Sequence, residues 1–136
     1  MGTRFIISKM YTFKKEEKLC NKRLIDSLFH NSSSFLCYPF KVSWRYNTNQ
    51  GAVAAQVLFS APKKRFKHAV DRNLLKRRMR EAYRLHKQQF LYDILASTQK
   101  QIILSIGYIG KEITDYTLIE KKMIKTLLQL SQELNK

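Results

Sequence analysis

Residues 69–90 read AVDRNLLKRRMREAYRLHKQQF, the spacing of an amphipathic helix that packs one face on a core. At 100° per residue the apolar side chains fall on one arc: Leu75, Met79, Ala82, Tyr83, His86 and Phe90. The cationic side chains fall together on another arc: Lys76, Arg77, Arg80, Arg84 and Lys87. Like charges four residues apart repel unless anions neutralise them. The pattern therefore predicts a helix whose polar face binds phosphate.

The start of this helix and the loop before it add further groups that attract anions. Arg72 and Asn73 stand in the first turn, where free backbone N–H groups favour negative charge, and Asp71 is the predicted cap. The planar guanidinium of arginine can hold two phosphate oxygens. These groups suit DNA as well as RNA. The predicted nucleic-acid-binding residues are Lys63, Lys64, Arg65, Lys67, Arg72, Asn73, Lys76, Arg77, Arg80 and Arg84.

Upstream of the basic loop, the sequence predicts one helix and then strands. Apolar spacing predicts a helix over 14–29, and a short strand over 35–38 follows. The period of two over 40–46 predicts a strand. One face of it carries Phe40, Val42, Trp44 and Tyr46, and the other carries Lys41, Ser43 and Arg45. Turn residues at 47–51 predict a hairpin in which 52–61 is the antiparallel partner of that strand.

Downstream of the basic helix, the sequence predicts a strand over 101–109 and a last helix capped by Thr114 or Asp115. The stripe of that helix is Ile119, Met123, Leu127, Leu130 and Leu134. The element order αβββαβα predicts an α+β fold with a single sheet of about four strands packed with three helices. We expect one nucleic-acid-binding domain over 11–136, with 1–10 as a flexible tail.

The composition of the chain limits the classes of partner that it can bind. Lys and Arg number 26 against ten Asp and Glu, a net charge of +16, which destabilises a compact chain unless its partner is a polyanion. No apolar run approaches a membrane span, so we expect a cytoplasmic protein with no membrane partner. Cys20, Cys37 and three histidines lack the spacing of a zinc site. We therefore predict no metal ligand and no catalytic residue.

Residues 69–84 resemble the signature helix of the bacterial ribonuclease P protein component, whose pattern is Ala-Val-x-Arg-Asn-Arg-x-Lys-Arg-x-x-Arg-Glu. The matching residues are Arg72, Asn73, Lys76, Arg77, Arg80 and Glu81. The preceding 60–64 is similar to the family's strand-end Ser and Lys pair, and the element order agrees over 13–134. Two departures stand out: Leu74 replaces the second Arg of the pattern, and 66–68 lacks the usual Gly.

The resemblance implies a protein subunit of ribonuclease P and a left-handed crossover between parallel strands. In that family a catalytic RNA, with bound magnesium ions, removes the 5′ leader of precursor tRNA. The implied partners are ribonuclease P RNA and precursor tRNA, with no protein partner and no cofactor bound by the protein alone.

The resemblance also implies a cleft, between the sheet face and the first helix, that holds the single-stranded leader. Aromatic rings stack on unpaired bases regardless of sequence. The candidates are Phe29, Phe40 and Trp44, and the opposite strand face with Lys41, Ser43 and Arg45 is the competing set.

Three alternatives are less consistent with the sequence. A basic ribosomal or ribosome-assembly protein would share the charge but has no reason to carry the pattern from Arg72 to Glu81. A DNA-binding transcription factor needs a helix-turn-helix or a dimer seam, whereas this basic helix follows a strand. A protein-only nuclease needs clustered carboxylates for metal ions, and the ten acids are scattered, with only Glu16 and Glu17 adjacent among basic residues.

Overall fold

The computed structural model describes residues 12–47 and 53–135, which form one four-stranded sheet with helices against both faces. The strands are β1 (Ser33–Cys37), β2 (Phe40–Tyr46), β3 (Ala55–Ser60) and β4 (Ile102–Tyr108). The helices are α1 (Lys22–His30), α2 (Ala69–Lys87), α3 (Asp93–Thr98) and α4 (Tyr116–Leu134). The predicted α+β class is confirmed. The proposed tail, 1–10, and most of the proposed turn over 47–51 lie outside the described residues.

The strands lie in the order β1-β2-β4-β3. β2 is antiparallel to both of its neighbours, and β3 is parallel to β4. The predicted hairpin between β2 and β3 is therefore wrong, because β4 lies between these two strands. The connection from β3 to β4 runs through α2 and α3, as a parallel pair requires a long crossover. Its left-handed sense stays a prediction.

The main core lies between the sheet and the helices α2 and α4. Phe40, Val42 and Trp44 of β2 are buried in it. The stripe predicted for the last helix is buried at all five positions, and the side chain of Asp115 accepts a hydrogen bond from the backbone N–H of Leu118 at 3.0 Å. Of the two caps predicted for α4, Thr114 and Asp115, the structure has Asp115, and the predicted core face is confirmed.

A smaller core lies on the other face of the sheet, under α1. Leu28 of α1 packs there with Leu19 and with Ile103 of β4. α1 begins at Lys22, because the Oδ1 atom of Asn21 caps it by accepting from Arg23 N at 2.9 Å. The predicted start at residue 14 is wrong: a 3₁₀ turn (Lys15–Glu17) and a bridge to β3 precede α1. α1 therefore covers only part of this face.

The basic helix differs from its prediction at both ends. His68 occupies the N-cap position without a side-chain hydrogen bond, so Asp71 does not cap α2. The predicted end at residue 90 is too early, because a π-helical turn (Gln88–Tyr92) joins α2 to α3 without a break.

Lys87, which we placed on the cationic arc, is only 2% exposed. It donates hydrogen bonds to the carboxylate of Glu17 and the carbonyl of Thr12. Its inclusion in a phosphate-binding surface is therefore wrong. Within the described ranges, none of the helices has the length and apolar character needed to cross a membrane.

Candidate nucleic-acid interface

The cationic side of α2 is held outward by the packing of its opposite side. Leu75, Met79, Ala82 and Tyr83 are fully buried against the sheet and α4. Asn73, Arg77 and Arg80 are exposed on the other side, with Lys76 half-buried at its border. In the part of the chain that the structure describes, none of these four has an ion-pair or hydrogen-bonding partner of its own side chain. We call Asn73, Lys76, Arg77 and Arg80 the basic face.

Arg84 differs from the basic face, although the sequence places it nearby. Its guanidinium makes two hydrogen bonds to Glu81, from Nη2 to Oε1 at 2.5 Å and from Nε to Oε2 at 3.0 Å. These bonds hold the pKa of Glu81 below its ordinary value and raise the pKa of Arg84. Because its charge is balanced within the helix, Arg84 is a weaker candidate for phosphate than Arg77 or Arg80.

Arg72 organises the basic loop that precedes α2. Its Nη1 atom donates to the carbonyl of Phe66 at 2.8 Å and to that of Lys67 at 2.9 Å. Phe66 itself is buried against Tyr108, with ring centroids 5.8 Å apart. Arg72 was predicted only as a phosphate ligand, and this positioning role could not be seen from the sequence.

The anchored loop presents four exposed cations beside the first turn of α2: Lys63, Lys64, Arg65 and Lys67. Apart from Arg72 and Arg84, the predicted nucleic-acid-binding residues therefore belong either to this loop or to the basic face, and the loop leads directly into α2.

A cleft of about 270 Å³ opens between α1 and the sheet face that α1 leaves uncovered. Lys41 of β2, Gly107 of β4 and Ser60 of β3 are register neighbours across its floor. A Cβ atom on Gly107 would lie 3.1 Å from Ser60 Oγ, so the absent side chain keeps the floor flat. The lining is Phe29, Lys41, Ser43, Ser60, Ala61, Pro62, Ser105, Gly107, Tyr108 and Ile109.

The structure corrects two of the three aromatic candidates for the leader. Phe40 is 0% and Trp44 6% exposed, because their strand face packs on α2 and α4. Phe29 is 70% exposed and stands in the wall of the cleft.

The competing set lies on the open side, and two of its members, Lys41 and Ser43, line the cleft. Ser105 and Gly107 were not predicted as site residues, and Ser60 was not predicted to join them in a cleft, because their meeting depends on β4 lying between β2 and β3.

A family model for ribonuclease P matches residues 13–130. The chain belongs to the ribonuclease P protein family. It is 33% identical over 121 residues to the ribonuclease P protein component of Porphyromonas gingivalis, covering 89% of this chain and 88% of that relative. It is 41% identical over 125 residues to the ribonuclease P protein component of Chlorobium phaeobacteroides, covering 85% and 86%.

The fold is also that of a solved ribonuclease P protein. The RNase P protein from Thermotoga maritima superposes with a TM-score of 0.64 at 22% identity, covering 83% of this chain and 96% of that one. Membership of the ribonuclease P family gives the chain a role in tRNA processing as the protein component of an endoribonuclease. It also decides against the ribosomal alternative.

Proposed function

We propose that this chain binds ribonuclease P RNA through the basic face and the loop, and holds the 5′ leader of precursor tRNA in the cleft. The observation that carries the proposal is the basic face itself. Arg77 and Arg80 are exposed and unpaired within the described residues, at positions that match the family signature. Phosphates would relieve their mutual repulsion.

The loop and the helix start extend this surface. Cations of the loop adjoin the end of α2 where backbone N–H groups and the positive end of the helix dipole favour anions. Arg72 fixes the loop carbonyls beside that end. RNA bound here would therefore contact loop and helix together, and its affinity would fall steeply with salt.

The cleft suits a single strand of variable sequence. The exposed ring of Phe29 can stack on any unpaired base. Ser43, Ser60 and Ser105 supply hydroxyls that both donate and accept hydrogen bonds, and Lys41 supplies a cation for phosphate. Because Pro62 lines the cleft and also begins the basic loop, the two sites adjoin.

The proposed division of labour leaves the cleavage step to the RNA. Guanidinium and ammonium groups stay protonated at neutral pH and cannot act as the base. Within the described ranges no group of three His, Cys, Asp or Glu side chains is placed to hold a metal ion. The described residues therefore do not offer a magnesium site. The ions would be held by RNA. The protein would neutralise phosphate repulsion in the cytoplasm, most effectively where magnesium is scarce.

The test is reconstitution from separately purified protein and ribonuclease P RNA transcript. We expect precursor tRNA to remain intact with nuclease-treated protein alone. With the transcript added, cleavage should occur at the mature 5′ end, and the protein should improve substrate affinity chiefly at low magnesium. Cleavage by protein that has been freed of RNA would contradict the proposal, as would a transcript whose substrate affinity the protein leaves unchanged.

A further inference from the structure

A second groove, of about 350 Å³, lies at the other end of β2 from the cleft. Its lining is Asn31, Ser32, Ser33, Trp44, Arg45 and Tyr46, and we call it the outer groove. It begins just beyond the end of α1, whose Phe29 lines the cleft. Lys41, Ser43 and Arg45 alternate along one side of β2, so Arg45 of the outer groove lies on the same strand face as Lys41 and Ser43 of the cleft.

The outer groove is electropositive. Arg45 is half-buried, and its guanidinium has no ion-pair or hydrogen-bonding partner among the described residues. Asn31 and Ser33 contribute an amide and a hydroxyl, and no acidic side chain is among the lining residues that the structure describes. A partly buried, unpaired guanidinium is stabilised by an anion that can accept its hydrogen bonds.

The path between the two sites suits an extended strand. Lys41 and Arg45 are four residues apart on β2, a separation of about 13 Å at the rise of a β-strand. The Pro62 end of the cleft adjoins the basic loop, which the proposed function places on ribonuclease P RNA. Leader nucleotides nearest the cleavage point would enter at that end, and those further upstream would leave along β2.

We propose that the outer groove is a second leader subsite, which holds a phosphate of nucleotides upstream of those in the cleft through Arg45. The inference rests on the proposed function and extends it. It makes the contribution of Arg45 dependent on leader length: a leader that ends within the cleft cannot reach Arg45, whereas a longer leader can.

The experiment measures the affinity of the reconstituted holoenzyme for precursor tRNAs whose leaders are shortened one nucleotide at a time. Arg45→Gln should weaken binding of long leaders about 10- to 100-fold, as expected for the loss of one charge-assisted hydrogen bond, and leave short leaders unchanged. Lys41→Gln should weaken binding at shorter leaders as well. Lys125→Gln, which removes an exposed charge from α4 on the opposite face of the sheet, is the matched control and should change neither.

Three results would overturn the inference. An Arg45→Gln effect that is equal at all leader lengths would assign the outer groove to ribonuclease P RNA. No effect of Arg45→Gln at any length, with Lys41→Gln still impaired, would remove this subsite and leave the proposed cleft intact. If Lys41→Gln is also silent, the proposed cleft itself fails together with the subsite that extends it.

Discussion

The ammonium of Lys87 donates a hydrogen bond to the carboxylate of Glu17, and the two side chains are buried although 70 residues separate them in the chain. The hydroxyl of Tyr92 donates to the same carboxylate. Lys87 also lies over the rings of Phe13 and Tyr92, 5.3 and 5.1 Å from their centroids. This cluster ties the segment before α1 to the end of α2, beside the π-helical turn.

Glu17→Gln should destabilise the fold by about 3–5 kcal/mol, because it leaves the buried ammonium of Lys87 without a counter-charge. The measurement is urea unfolding at neutral pH. Glu16→Gln is the control, since Glu16 is adjacent and exposed, and it should leave the midpoint unchanged. Equal midpoints for the two variants would show that the buried pair contributes nothing to stability.

The same carboxylate should make stability depend on acid pH. Burial raises the pKa of Glu17, but hydrogen bonds from Lys87, Tyr92 and the Lys14 N–H outweigh this and lower the pKa below 4.5. As pH falls below 4.5, the unfolded chain takes up this proton first. The contribution of the Glu17 carboxylate to the free energy of unfolding is therefore complete above pH 4.5 and is lost as pH falls through the pKa of Glu17 in the folded state. As pH is lowered through this range, the unfolding free energies of the wild-type protein and Glu17→Gln should converge. If the two plots of unfolding free energy against pH stay parallel, the pKa of Glu17 is not lowered by folding.

Phe29→Ala should weaken binding of single-stranded leader by about 1–3 kcal/mol, the contribution of one stacked base, without changing the melting temperature. Phe40→Ala should instead lose about 3–5 kcal/mol of stability, because it leaves a cavity in the core. Affinity titrations and thermal unfolding of both variants separate the two roles. A loss of stability in Phe29→Ala with unaltered leader affinity would assign that ring to packing.

Replacing Lys76, Arg77 and Arg80 together by Ala should reduce affinity for ribonuclease P RNA and leave the circular dichroism spectrum unchanged. The slope of log affinity against log salt should flatten by roughly 0.7–0.9 for each phosphate that the variant no longer neutralises. The matched control replaces Lys111, Lys121 and Lys125, three exposed cations of the α4 region, and removes the same charge. If both triple variants flatten the slope equally, net charge rather than the basic face carries the binding.

Leu74→Arg restores the residue that the family pattern has at this position, and it should be tolerated. Leu74 is half-buried and is not part of the core cluster within the described residues, whereas its neighbour Leu75 is fully buried. Leu75→Arg, the control, should unfold the protein. Melting temperatures test the pair, and RNA titration then shows whether Leu74→Arg binds more tightly. Unfolding of Leu74→Arg would make Leu74 a packing residue.

The parts of the fold that sequence predicted well depend on local patterns. The stripe and cap of α4, the alternation of β2 and the cationic surface of α2 each follow from neighbouring residues. The partner of β2 could not be found this way, because nothing local states that β4 inserts beside it. Phe29 could be proposed for the cleft because its place on the first helix follows from local apolar spacing, while the floor of the cleft needs three strands in their observed order. Lys87 was misplaced because its counter-charge, Glu17, is remote in sequence.

The π-helical turn changes the direction in which side chains at helical spacing point, so that the long basic helix has two differently oriented parts. Leu91 follows Asn73 by eighteen residues, and Leu95 follows Arg77 by eighteen, which is about five turns of an unbroken α-helix. Both leucines would then point the same way as the basic face, yet both are buried. The wider turn at Gln88–Tyr92 accommodates one extra residue and rotates the helical segment beyond it by about 100°. A single continuous rod can therefore turn cations outward in its first half and leucines inward in its second, and deleting one residue of the turn would set these two orientations against each other.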